Sequence, residues 1–170
     1  MKPIIYKIED NESALDEFEK DIRENKSKKT RDIILNYPTV YIHVLKKGKR
    51  YNVYVGETNN IIQRTKEHYY DGRDKENWEY NLLNKKFQLY VIGHEHFTKS
   101  MTLDIENRLR LYFMSVENVN VVYNERGNPQ NKYYTDQEFD GVFQQVWEKL
   151  RKFDSELFPC DSQIKNSAVF

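Results

Sequence analysis

The sequence predicts an α/β chain of the α+β kind. A small antiparallel or mixed three-stranded central sheet is flanked by helices, with helical extensions at both ends. Three observations predict it. Thr39–Leu45 and Tyr51–Gly56 are rich in β-branched and aromatic residues and are separated by the glycine-containing loop KKGKR, the pattern of a β-hairpin. Phe87–Gly93 alternates well enough for a third strand. The intervening and following segments repeat apolar residues every three or four positions, as a helix with one buried stripe does.

In chain order, residues 1–37 read as an N-terminal helical extension. Ser13 caps a short helix through Ile22, and Leu15, Phe18 and Ile22 share one face. Lys26–Arg31 is a charged connector, and Pro38 opens extended chain. After the hairpin, Asn59 or Asn60 caps a helix with Ile61 and Ile62 among its apolar contacts. Residues 71–86 are polar with one tryptophan and read as a loop or broken helix. Ser100 or Thr102 starts a strong helix carrying Leu103, Ile105, Leu109 and Phe113. Val119–Tyr123 is a short strand, and NERGNPQNKYY is a loop. Thr135 or Asp136 opens a last helix bearing Phe139, Val142, Phe143, Val146 and Leu150. The core therefore spans 38–125. Residues 126–170 form a loop and a C-terminal helix packed on it, or the start of a linker.

The 170 residues suit one domain with a sizeable core, to which 13 tyrosines contribute. Lys+Arg and Asp+Glu both number 27, and this zero net charge argues against a passive nucleic-acid coat while allowing an enzyme that touches a few phosphates. The single cysteine, Cys160, permits no internal disulfide. No basic segment followed by an apolar stretch opens the chain, and no apolar run approaches the roughly 20 residues of a membrane span, so a cytoplasmic protein is expected.

The stretch YVGETNNIIQRTKEHYY, Tyr54–Tyr70, carries the densest chemistry. Arg64 and His68 lie four residues apart, about one helical turn, and can meet one phosphate. In isolation each also reads as a solvated helix residue. Glu106 sits among apolar helix positions, where a buried carboxylate is costly unless it meets positive charge. That charge is a divalent cation, Mg²⁺ or Mn²⁺, or else Arg108 or Arg110. Asp104 points about 200° away around the helix. His43 shares a strand face with Tyr41 and is either an assisting base or a packed core histidine. His94 and His96 have the spacing of a metal pair but lack further zinc ligands, which favours a structural role. Lys46, Lys47, Lys49 and Arg50 at the hairpin tip suit either a nucleic-acid backbone or ordinary loop solubility.

Thr39-Val40-Tyr41 on the first strand, Tyr54-Val55-Gly56 on the second, Arg64, His68, Glu106 in LDIENRL and Asn124 in VVYNE form an ordered set. That set resembles the GIY-YIG nuclease family over residues 38–125. The longer pattern, with YVIGHEHF and NPQNKYYT, is similar to a subgroup in which this domain precedes a helicase-like ATPase, so a longer parent chain is implied. The resemblance implies a metal-dependent DNA endonuclease with Glu106 as the Mg²⁺ or Mn²⁺ ligand and Tyr41, Tyr54, Arg64, His68 and Asn124 as catalytic residues. Tyr41 would activate the water, directly or through hydrogen bonds, Tyr54 would position the phosphate, and Asn124 would hold a water or orient a neighbour. Thr39 replaces the family's first glycine, and Glu57 stands where some members carry lysine. A catalytically weak nucleic-acid-binding or interaction module of a helicase-type protein is the alternative.

Overall fold

The computed structural model describes residues 2–70, 87–123 and 136–160. Within them five strands form one mixed sheet, flanked by five helices. The strands are β1 (Ile4–Glu9), β2 (Thr39–Lys47), β3 (Arg50–Thr58), β4 (Phe87–Gly93) and β5 (Val119–Val122). The helices are α1 (Glu12–Asn25), α2 (Lys28–Leu35), α3 (Ile61–Tyr70), α4 (Lys99–Ser115) and α5 (Asp136–Arg151). The sheet order is β1-β4-β2-β3-β5, antiparallel throughout except for the parallel β3–β5 pair.

The three strands expected of the central sheet are its middle, the short strand expected at Val119–Tyr123 joins them as β5, and β1 makes the sheet five-stranded rather than three-stranded. β1 lies in what read as a purely helical extension. Its residues IIYKIE pair with β4 from Ile4 opposite Gly93 to Glu9 opposite Gln88. Ile4, Ile5, Tyr6 and Ile8 carry a strand propensity, but the partner strand lies about 80 residues on, so the run alone does not say which sheet it joins. A second correction concerns Lys26–Arg31. Ser27 accepts the Thr30 N–H at 3.2 Å and caps α2, so the charged run opens a helix.

Two caps fall earlier than expected. Asn11 rather than Ser13 caps α1, accepting the Ala14 N–H at 2.9 Å, and Thr98 rather than Ser100 or Thr102 caps α4, accepting from Met101 at 3.3 Å. The β2–β3 hairpin turns between Lys47 and Arg50, with Gly48 at φ 61°, the left-handed region where a side chain is strained.

Strand alternation sorts the side chains into two cores. On one face Val40, Ile42, Val44, Val53 and Val55 pack with α4, α5, Leu157 and Phe158. On the other face Tyr41, Leu45, Leu89 and Val91 pack with α1, α2 and α3. Among the described residues, no helix is long and apolar enough to cross a membrane. The loops expected at 71–86 and 124–134, and with them Asn124, lie outside the described residues.

Candidate functional site

Tyr41 is the centre of the face covered by α1, α2 and α3, and is 1% exposed. It stands opposite Gly56 in the β2–β3 register, and its ring lies directly over that glycine. A Cβ on residue 56 would come within 2.4 Å of both the Tyr41 Cζ and its hydroxyl oxygen. The glycine of the Tyr54-Val55-Gly56 run is thus the floor on which Tyr41 rests.

The Tyr41 hydroxyl is 3.0 Å from His68 Nε2. The positive charge of Arg64 lies beside both the Tyr41 and the Tyr54 phenols and eases the ionisation of each. Neutral His68 can take either side of its bond to Tyr41, accepting the Tyr41 proton at a bare Nε2 or donating from a protonated one. Burial, with Tyr54 beside it, raises the Tyr41 phenol well above its usual range, and Arg64 opposes this without overcoming it. Burial, then His43 and Arg64, push His68 down to about 2, so its imidazole is neutral and able to accept. Tyr54 is raised chiefly by burial and is the less enclosed of the two tyrosines. Arg64 also meets Glu67 at 3.2 Å on the exposed side of α3.

His43 is completely buried behind this group and hydrogen-bonded through Nδ1 to Asp10. Its ring stands 5.3 Å from that of Tyr41 and 5.4 Å from that of His68, edge-on to each. Asp10 also accepts from the Tyr69 hydroxyl at 2.8 Å. Sequence reasoning missed Asp10 and Tyr69. Asp10 precedes a helix cap and carries no local mark of belonging to a site 33 residues away.

Glu106 is placed differently. The apolar face of α4 packs on the sheet face opposite α3, so Tyr41, Tyr54, Arg64 and His68 share a face that α4 does not cover. Glu106 nevertheless acts electrostatically on Tyr54. β5 covers β3 only at Tyr51, Asn52 and Val53, so among the described residues no strand lies beside β3 on that edge from Tyr54 onward. On the α4 side Glu57 takes a hydrogen bond from Thr102 at 3.2 Å and an ion pair from Lys99. Burial and then the Glu57 charge push Glu106 up to about 7, while Arg110 and Lys99 pull it back. Arg108 pairs instead with Asp140 and lies over the Phe139 ring.

Among the described residues no group of three or more His, Cys, Asp or Glu could hold a metal. A zinc site is not what this arrangement fits. Glu106 and Glu57 lie close enough to repel, and Lys99 already pairs with Glu57; a hard dication of the Mg²⁺ type asks for only one or two carboxylates beside its waters. His94 is buried and its Nδ1 accepts the His96 N–H at 3.2 Å, so this pair holds the turn after β4. At the hairpin tip, Lys46 meets Glu156 at 3.4 Å and lies over Tyr51, and Arg50 donates to Asn120 at 3.3 Å. Lys47 and Lys49 are exposed. The tip is six positions along β2 from Tyr41, about 20 Å at strand rise.

Two groups should give opposite pH slopes of stability. His68 titrates lower in the fold than in the unfolded chain, so its contribution is full above pH 6.5 and is lost as pH falls toward 2. Glu106 titrates higher in the fold, so its contribution is full below pH 4.5 and is lost as pH rises through about 7. Denaturant midpoints measured from about pH 3 to about pH 9 should show both slopes. Glu106→Gln should flatten only the upper one, and an unchanged upper slope would remove Glu106 as its cause.

No protein-family model, curated protein or solved structure matches this chain.

Proposed function

We propose that this chain is a metal-dependent endonuclease hydrolysing phosphodiester bonds in DNA. The observation that carries the reading is the Tyr41 hydroxyl 3.0 Å from His68 Nε2, with the Arg64 charge beside both Tyr41 and Tyr54. Arg64 is a permanent planar cation suited to phosphate oxygens, and Tyr54 is the less buried hydroxyl that would orient them. Tyr41 keeps its own proton at neutral pH and His68 stays neutral, so the pair orients the attacking water by hydrogen bonds while the water's proton leaves to solvent. Bound at Glu106 with Glu57 beside it, Mg²⁺ or Mn²⁺ would supply Lewis acidity toward the phosphate.

The test is incubation with supercoiled, linear and branched DNA, with Mg²⁺, Mn²⁺ or EDTA. Cation-dependent nicking that EDTA abolishes is expected. Binding without nicking in every condition would favour the second reading, a catalytically weak nucleic-acid-binding or interaction module of a larger helicase-type protein. The observation favouring that reading is the placement of Glu106 on the helix that packs the face opposite Arg64. The endonuclease reading implies DNA as a partner, and the resemblance adds a helicase-like ATPase domain in a longer parent chain.

The hairpin tip has its own expected outcome. Lys47→Ala with Lys49→Ala should weaken DNA binding and reduce its salt slope by about one for each phosphate that is no longer neutralised, with little change in rate on saturating DNA. Titrations across a salt series measure this, and an identical slope would leave the tip an ordinary loop.

A further inference from the structure

We propose that Asp10 is a positioning residue of this site, setting the tautomer and ring orientation of His43 and, through His43, the alignment of the Tyr41–His68 pair. The inference rests on the reading of Tyr41 and His68 as working parts of the site, and it extends that site to the β1–α1 junction.

Asp10 is 4% exposed. A buried carboxylate is costly unless its oxygens are satisfied, and this one accepts from His43 Nδ1 on one oxygen and from the Tyr69 hydroxyl on the other. Its backbone is fixed as well. The Asp10 N–H donates to the Phe87 carbonyl at 3.0 Å, and the next residue, Asn11, caps α1. The carboxylate therefore has little freedom to follow a moving partner.

An ionised carboxylate can only accept, so the hydrogen shared with His43 is carried on Nδ1. His43 is wedged edge-on against Tyr41 at 81° and His68 at 85°, with the Tyr54 ring at 6.0 Å. In a close-packed interior, a turn of this ring displaces the rings it touches. Holding the Nδ1 edge at Asp10 thus holds the surface against which Tyr41 and His68 meet. Asp10 does this across the sheet, because β1 reaches β2 only by way of β4.

The test uses the whole chain and compares wild type, Asp10→Ala, Asp10→Asn and Tyr69→Phe. Long-range ¹H–¹⁵N spectra report the tautomers of the four histidines, and plasmid nicking gives kcat and KM. Wild-type His43 should carry its proton on Nδ1. In Asp10→Ala the nitrogen signals of both His43 and His68 should move, and kcat should fall about 10–100-fold, the range seen when a group orienting a functional histidine is removed. KM for DNA should stay unchanged. Tyr69→Phe leaves one Asp10 oxygen without its donor and should move the same histidine signals by less than Asp10→Ala does.

Should Asp10→Ala fail to fold, Asp10→Asn keeps the volume and one acceptor oxygen. Loss of the ionic acceptor should then move the same signals and lower kcat by a smaller factor. Unmoved His68 signals with an unchanged kcat in the folded Asp10 variants would overturn the proposal. If wild type nicks no DNA, the nuclease reading fails separately. The spectra then decide alone: joint movement of His43 and His68 sustains the positioning role, and a silent His68 removes it.

Discussion

Arg64→Ala should leave the fold and Mn²⁺ binding intact and lower the rate of DNA nicking on the order of 10²–10³-fold, the usual cost of removing preorganised charge from a developing oxyanion. The side chain is partly exposed on α3, so its removal creates no buried cavity. What disappears is the positive charge beside the Tyr41 and Tyr54 phenols. Glu106→Gln supplies the contrast. It is nearly isosteric and should lose Mn²⁺ binding as well as nicking. It should also be no less stable than wild type at about pH 8, where the ionised carboxylate is disfavoured by burial and by Glu57. Thermal unfolding, Mn²⁺ titration and plasmid nicking on the same preparations separate the two variants. Wild-type cleavage by Glu106→Gln would move the cation away from Glu106, with Glu57 or Asp104 next to be replaced. Full activity in Arg64→Ala would remove the phosphate role of the α3 face.

Gly56→Ala should be the most damaging single methyl in the site. Gly56 is not at positive φ, so the backbone accepts alanine. The cost is steric, because the new Cβ lies 2.4 Å from the Tyr41 Cζ and hydroxyl oxygen, where something must shift. Tyr41 has nowhere easy to go, with the His43 ring at 5.3 Å and the His68 ring at 5.9 Å. Overpacking of this kind costs about 1–3 kcal/mol, a fall in Tm of roughly 2–12 °C for a chain of this size. The displaced hydroxyl should also lose its place at His68 Nε2, so nicking should fall together with stability. A double-mutant cycle checks the cause. In a Tyr41→Ala background the same methyl should cost far less, whereas equal cost in both backgrounds would clear Tyr41.

The parts of this protein legible in its sequence are those set by short-range chemistry. The β2–β3 hairpin announced itself through two β-rich runs around a glycine turn, and α4 and α5 through their apolar spacing, because both signals are complete within a few residues of chain. Arg64 and His68 shared a face for the same reason, since a helical turn brings residues four apart together whatever surrounds them.

Tertiary structure decided the rest. β1 became a strand because the edge of β4 was open to it, and Asp10 entered the site because that pairing carries it to His43, 33 residues on. Glu106 came to lie across the β3 edge because α4 packs on the other face of the sheet, a choice of layer that the helix period does not encode. The neutral His68, the protonated Tyr41 and the raised Glu106 likewise follow from burial first. Burial is a property of the assembled layers: the energy of an ionised group depends on what has been packed around it, and those neighbours are distant in sequence.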